Sequence, residues 1–347
     1  MELKEGIYER LIDGHTAKAI TRAKEAGMHC QQDEIDSAEA DQLLADYAAG
    51  ALRKLLEADD SPTKEKIARV NELLRHAGIQ EEFLLEEAPR LLSSVLSPER
   101  RAQFKITKQA LVRPQSGFRE SVLFTGGPST ELSLSSELLR DIASADEICI
   151  IVSFLRLSGL RLLLDALRDF CSDPRHRLRI ITTTYCGITE ARALEQLAQL
   201  EPTEIRISYD TKIERLHAKA YLFLRDSGYS TAYIGSSNLS HSAHTDGLEW
   251  NVRATQVENP QIIKSALATF ERYWASDHFE DFREGGIEKF RKELHLEKQA
   301  TMSRETVHFQ PYHLLPHQKT ILDKLKVERL EGQLYRNLVV AAPGTGK

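Results

Sequence analysis

Four cysteines in 347 residues, Cys30, Cys149, Cys171 and Cys186, are too few and too scattered for a disulfide framework. None stands in a C-x-x-C pair, and no Cys/His set has zinc-ligand spacing. Long apolar runs are missing too: nowhere do about 18 apolar residues follow one another, as a membrane-spanning helix requires. The first residues, Met1-Glu2-Leu3-Lys4-Glu5, lack the apolar centre of a secretory signal. There is no basic amphipathic helix suited to a membrane interface. These absences predict a protein of a reducing cytoplasm with no membrane partner, and weigh against a secreted lipase. Excess positive charge is lacking as well. The net charge of -6 gives no global attraction to nucleic acid, so such a contact needs a local basic patch. Arg175, His176, Arg177 and Arg179 form one basic cluster, read here as a solvated turn and strand start.

Periodicity divides the chain. Residues 1–110 read as a helical module. The stretch from Glu39 through Leu56 carries Leu43, Leu44, Tyr47, Ala48, Leu52 and Leu55 at helical spacing, and Ser61-Pro62 reads as a helix start. Residues 111–285 alternate strand and helix. Buried strands are expected over Glu147 to Phe154 and Leu178 to Thr184, with shorter strands at Glu204 to Ser208, around His217, up to Ile234, and over Gly247 to Ala254. Helices between them are marked by Leu160, Leu163, Leu167 and Phe170, and at the end by Ile262, Ile263, Ala266, Phe270 and Trp274. The pattern predicts an α/β class, a mixed β-sheet flanked by helices, preceded by an α-helical module. Residues 286–310 are charged and read as a helix running into a linker, and residues 311–347 form a last segment of different character.

The chemistry gathers between His217 and Glu249. In Leu216-His217-Ala218-Lys219-Ala220, alternation puts His217, Lys219 and Tyr221 on one strand face and Leu216, Ala218, Ala220, Leu222 and Leu224 on the other. An imidazole and an ammonium one pleat apart can address a single phosphate. Gly235-Ser236-Ser237-Asn238 and then Glu249 follow, adding hydroxyl, carboxamide and carboxylate. An imidazole is a good nucleophile when a carboxylate holds its other nitrogen, and lysine and amide donors stabilise charge developing on phosphorus. Trp250, beside Glu249 but on the opposite strand face, reads as core. His241 and His244 read as exposed positions after the G-S-S-N loop. The loop at Tyr185 and Cys186 follows a strand end, where it could be a substrate loop or an ordinary turn.

The combination H-x-K, G-S-x-N and a following Glu resembles the phospholipase D (HKD) superfamily, in particular its nuclease-like members with one motif per chain. The resemblance implies a phospholipase D-like fold and a metal-independent phosphodiesterase with no cofactor. It implies that His217 is the nucleophile, that Lys219 and Asn238 hold phosphate oxygens, that Ser236 adds a hydrogen bond, and that Glu249 orients His217. The family pattern places an Asp five residues after the Lys; Leu224 stands there, and Asp226 comes two residues late. The family mechanism uses two histidines, and only one H-x-K here is followed by G-S-x-N, so a homodimer sharing one site is expected. His317-Gln318-Lys319 also spells H-x-K but has no G-S-x-N after it.

The end of the chain, Ala341-Ala342-Pro343-Gly344-Thr345-Gly346-Lys347, resembles the phosphate loop of superfamily 2 (DEAD/DEAH-type) helicases, with Gln318 as the upstream adenine-reading Gln. Such a loop wraps phosphates with backbone amides. Gln318, Gly344, Thr345, Gly346 and Lys347 would form an incomplete ATP site, with ATP and magnesium expected only in a full-length helicase of which this chain is an amino-terminal fragment. The arrangement resembles bacterial helicases with an amino-terminal phospholipase D-like domain. That resemblance implies a DNA (or RNA) substrate, most readily DNA, and a setting in DNA processing or defence against foreign DNA. The alternative is a non-catalytic DNA-binding or dimerisation module serving the helicase.

Overall fold

In the computed structural model, residues 2–95, 112–126, 133–210, 215–240, 249–282, 285–308, 320–321 and 324–325 are described. The chain falls into two compact units, Met1–Val95 and Leu96–Lys347. The first holds three helices, α1 (Gly14–Glu25), α2 (Ala40–Glu57) and α3 (Thr63–His76). Asp13 caps α1 by accepting the Thr16 amide at 2.7 Å, which holds its carboxyl down at about 2. Pro62 stands just before α3, where a missing N–H costs nothing. The second unit contains the expected α/β architecture. Its strands are β1 (Val122–Phe124), β2 (Glu147–Val152), β3 (Arg177–Thr183), β4 (Thr203–Ser208), β5 (Lys219–Leu224), β6 (Thr231–Gly235), β7 (Asn251–Thr255) and β8 (Glu280–Asp281). Its helices are α4 (Leu134–Ser144), α5 (Leu157–Cys171), α6 (Ala191–Ala198), α7 (Pro260–Trp274) and α8 (Gly286–His308).

The strands form one eight-stranded sheet in the order β1-β7-β6-β5-β2-β3-β4-β8. β2, β3 and β4 run parallel, as strands joined by helical crossovers do, and the remaining neighbours pair antiparallel. Apolar layers lie on both faces. One gathers Ile148, Ile150, Tyr221, Phe223 and Tyr233 with Leu138, Leu160 and Leu167. The other gathers Cys149, Ile151, Leu216, Leu222, Ala232 and Ala254 with Ile263 and Phe270 of α7. Cys149 is the buried small hydrophobe its sequence neighbours suggest; burial pushes its thiol up to about 12.

Residues 286–310 were read as a helix running into a linker; α8 spans Gly286–His308, and its Phe290 and Leu294 are buried in the first apolar layer. Their spacing of four places both on one helical stripe. The basic cluster, read as a solvated turn and strand start, is not uniformly solvated. Arg175 pairs with Asp173 and Arg177 with Glu204, but Arg179 is buried between Glu147 at 2.8 Å and Glu271, with its guanidinium over the Phe270 ring. The cluster's charges are therefore largely answered by neighbouring carboxylates.

A buried charge group ties the antiparallel half of the sheet to α4. Asp141, fully buried, accepts from Arg225 Nη2 at 2.6 Å, Thr231 Oγ1 at 3.0 Å, Tyr233 Oη at 2.6 Å and Arg253 Nε at 3.2 Å. One carboxylate thus holds the end of β5, both β6 residues and β7 at once.

Candidate active site

The four central antiparallel strands bring their ends together at one edge of the sheet. β2 and β6 finish there, at Val152 and Gly235, and β5 and β7 begin there, at Lys219 and Asn251. His217 and Lys219 therefore arrive at the start of β5, Ser236 and Asn238 just after β6, and Glu249 just before β7. β5 begins only at Lys219, so His217 lies on the extended approach to the strand rather than within it. Leu216 is buried in the second apolar layer and Tyr221 in the first, Lys219 is buried, and His217 is exposed, as is Ala218, which alternation had placed on the apolar face.

Lys219 is the pivot. The residue is 7% exposed, and its ammonium donates to the His217 carbonyl at 2.8 Å. Nζ also lies 3.0 Å from His217 Nδ1 and 3.1 Å from Nε2, straddling the two ring nitrogens. Burial lowers the Lys219 pKa, and the charge of half-buried Glu249 works in the opposite sense. Glu249 also helps burial raise the Tyr221 phenol. His217, Lys219 and Glu249 thus share one electrostatic neighbourhood. The described contacts of the imidazole are with Lys219, and none joins it to Glu249.

The G-S-S-N loop is clamped from two sides. Asn238 Oδ1 accepts the Phe154 amide at 3.0 Å, and Leu239 forms a parallel bridge with Leu155. Glycine is required here by contact. A Cβ on Gly235 would come 2.1 Å from the Trp250 carbonyl oxygen, and one on Gly159 of α5 would come 2.4 Å from the Ser240 nitrogen. Ser236 does not turn to His217: its hydroxyl accepts the Trp250 amide at 3.1 Å, extending the β6–β7 pairing. The neighbouring Ser237, which sequence reasoning passed over, is fully buried and accepts from Asn251 Nδ2 at 2.7 Å. Tyr221 Oη donates to the Ser237 carbonyl at 3.1 Å. Ser237 and Asn251 thus form the loop's foundation, a role that no spacing rule exposes.

Trp250, expected in the core, is 63% exposed. Its strand face was read correctly, since it alternates with Asn251 and shares a face with Val252. Yet Val252, Ile234 and Leu123 beside it are exposed as well, while Ala232 and Ala254 further along the same face are buried. The covering helix α7 reaches only that far row. Among the residues outside the described set are His241 and His244, His317, and all of Gln318, Gly344, Thr345, Gly346 and Lys347.

Residues 138–274, the segment that contains every one of these strand ends, match the family described as cardiolipin synthase, PLD-like domain. That segment is similar to a phospholipase D-like domain. Similar solved structures include the phospholipase D family member Nuc of Salmonella typhimurium, at 22% identity and TM-score 0.36, covering 48% of this chain and 100% of that one. NucT of Helicobacter pylori shows 16% identity and TM-score 0.33, covering 44% of this chain and 94% of that one. The phosphatidylserine synthase of Haemophilus influenzae Rd KW20 shows 12% identity and TM-score 0.36, covering 54% and 46%. No curated protein sequence matches the chain. Among the described residues, no helix is long and apolar enough to cross a membrane, and no group of three or more His, Cys, Asp or Glu side chains is placed to hold a metal ion.

Proposed function

We propose that the phospholipase D-like domain is a metal-independent nuclease acting through a phosphohistidine, with DNA as the substrate. The observation that carries this reading is the placement of the Lys219 ammonium against the His217 ring at the strand ends, with Asn238 held by the Phe154 amide in the loop after β6, which ends at the same edge. An imidazole nitrogen of His217 attacks phosphorus, the bond from phosphorus to the leaving oxygen breaks, and that oxygen takes up a proton. Water then attacks the phosphohistidine, releasing the phosphate end and restoring the ring. Lys219 and the Asn238 amide offset charge on the non-bridging oxygens. Glu249 holds the imidazole's other nitrogen in the reacting state, closing on it when substrate is bound.

The leaving oxygen needs a donor on the far side of phosphorus, and the chain offers one His217. A homodimer supplies the second imidazole, with each motif facing its copy across a two-fold axis. Nucleic acid is favoured over lipid by the carboxyl-terminal segment, whose Gln318 and Gly344-Thr345-Gly346-Lys347 resemble a helicase ATP site, and that segment also suggests a role in processing foreign DNA.

The test is cleavage of DNA, and in parallel RNA, in excess EDTA. Wild type is expected to cut, and His217→Ala to be inactive with an unchanged circular dichroism spectrum. Activity lost on chelation and restored by magnesium would refute the mechanism. A strictly monomeric species that still cleaved would refute the shared site. The second reading, a DNA-binding or dimerisation module without catalysis, rests on Leu224 replacing the family Asp; it predicts binding without cleavage by wild type.

A further inference from the structure

The segment that delivers His217 displays a second cation, and the mechanism above does not use it. In Arg215-Leu216-His217-Ala218-Lys219, Leu216 is sunk in the apolar layer and Arg215 and His217 on either side of it are exposed. Alternation along an extended chain turns those two side chains the same way. Two residues of extended chain span about 7 Å, comparable with the step between neighbouring phosphates on a nucleic acid strand. Among the described residues no carboxylate pairs with Arg215. Its contact is instead the Tyr185 ring, whose centroid lies 5.5 Å from the guanidinium carbon.

Tyr185 is placed with care. It follows β3, its amide donates to Thr183 Oγ1 at 3.1 Å, and the next two residues both have positive φ, 58° at Cys186 and 64° at Gly187. A left-handed conformation at a non-glycine residue costs free energy, and such strain gathers where a loop is aimed. The loop's far end is tied to the site as well, because Thr189 Oγ1 donates to the Ser153 carbonyl at 3.3 Å, one residue past β2. A flat ring under a guanidinium fixes the plane of the fork without consuming its N–H donors. An exposed, donor-rich and pre-oriented arginine two residues from the nucleophile suits an anion that the nucleophile itself does not attack.

We propose that Arg215, steadied by Tyr185, grips the phosphodiester next to the one under attack and so selects a polymeric substrate over an isolated diester. This rests on the nuclease reading above. The test compares a single-stranded oligonucleotide with bis(4-nitrophenyl) phosphate, which has one phosphodiester and no neighbour. For Arg215→Ala, the ratio of kcat/KM on oligonucleotide to kcat/KM on the small diester is expected to fall by about tenfold, the loss of one charge-assisted hydrogen bond. The slope of log affinity for the oligonucleotide against log salt should shrink by about 0.7. Tyr185→Ala should move both in the same direction and Tyr185→Phe should move neither. An equal loss on both substrates, or an unchanged ratio and slope, would overturn the assignment while leaving the nuclease reading intact. A wild type that hydrolyses the small diester but no polynucleotide would overturn the nuclease reading itself.

Discussion

The side chain of Asn238 accepts the backbone amide of Phe154 at 3.0 Å. A backbone N–H can only donate, so this bond decides which end of the carboxamide is oxygen, and it leaves the NH2 end for a ligand. The contact joins the loop after β6 to the loop after β2, and it turns Asn238 into a donor of fixed direction.

A prediction follows for two substitutions at that position. Asn238→Ala should lower kcat by about 10²-fold, the usual cost of removing one donor from developing charge. Asn238→Asp can still accept the Phe154 amide, but it would set an anion against the phosphate. Its loss should exceed that of Asn238→Ala, with melting temperature close to wild type. Equal kcat in the two variants would contradict a donor role.

The lowered pKa of Lys219 makes opposite claims on stability and activity. Burial is the main cause and outweighs Glu249, so the folded chain releases this proton at a lower pH than the unfolded chain. Between the two values the unfolded chain binds more protons, and stability rises with pH across that window. Below the folded value the buried charge is a full cost. Turnover runs the other way, falling as pH rises through the folded value, because the neutral amine cannot hold a phosphate oxygen. Lys219→Met should therefore melt higher than wild type at neutral pH while losing activity, and Lys219→Arg should carry the alkaline limb of the rate profile to higher pH. Thermal melts and pH-rate profiles check both; a Lys219→Met protein that melts lower would contradict the first.

The sequence made much of this site legible, for a definable reason. Alternation over Leu216 to Leu224 assigns the faces because β5 lies between two apolar layers, with Tyr221 and Phe223 in one and Leu216 and Leu222 in the other. It failed at Trp250, where burial depends on how far α7 extends and not on anything in the strand. The charged surroundings of Phe290 and Leu294 hid a core stripe in α8, and Glu147 and Glu271, distant in sequence, decide that Arg179 can be buried. The partnership of Ser237 with Asn251 was illegible because it is made by two adjacent strand ends. Arg215 could have been found, since it continues the alternation of His217 and Lys219 one step upstream.

Gly235 provides a test of the clamp. Because a methyl group there would meet the Trp250 carbonyl oxygen and Asn251 backbone, Gly235→Ala must separate β6 from β7 where the loop leaves the sheet. A cost of about 1–3 kcal/mol is expected, as for other overpacked sites, together with loss of activity through displaced Asn238. Chemical denaturation and the rate on a small diester measure the two effects. Wild-type stability in this variant would contradict the contact.

Asp141 should be the most sensitive buried position outside the site. Asp141→Ala leaves Arg225 and Arg253 without their shared anion, and the two Arg253 terminal nitrogens are already buried with no hydrogen-bond partner. Breaking a buried pair from one side typically costs about 3–5 kcal/mol. Urea denaturation should show a loss of that size, whereas Asp226→Ala, an exposed position, should cost little.

Asp141 stands at the far end of β5 from Lys219, yet it governs which way Lys219 points. Side chains on a strand alternate, so a slip of β5 by one residue would exchange its two faces and carry the ammonium to the side of the sheet away from Asn238. Arg225, immediately after the strand, can reach Asp141 in one setting only, with Tyr233 and Arg253 bound to the same carboxylate from β6 and β7. The His217 end of the strand is thus indexed from its opposite end, like a ruler read from a fixed zero.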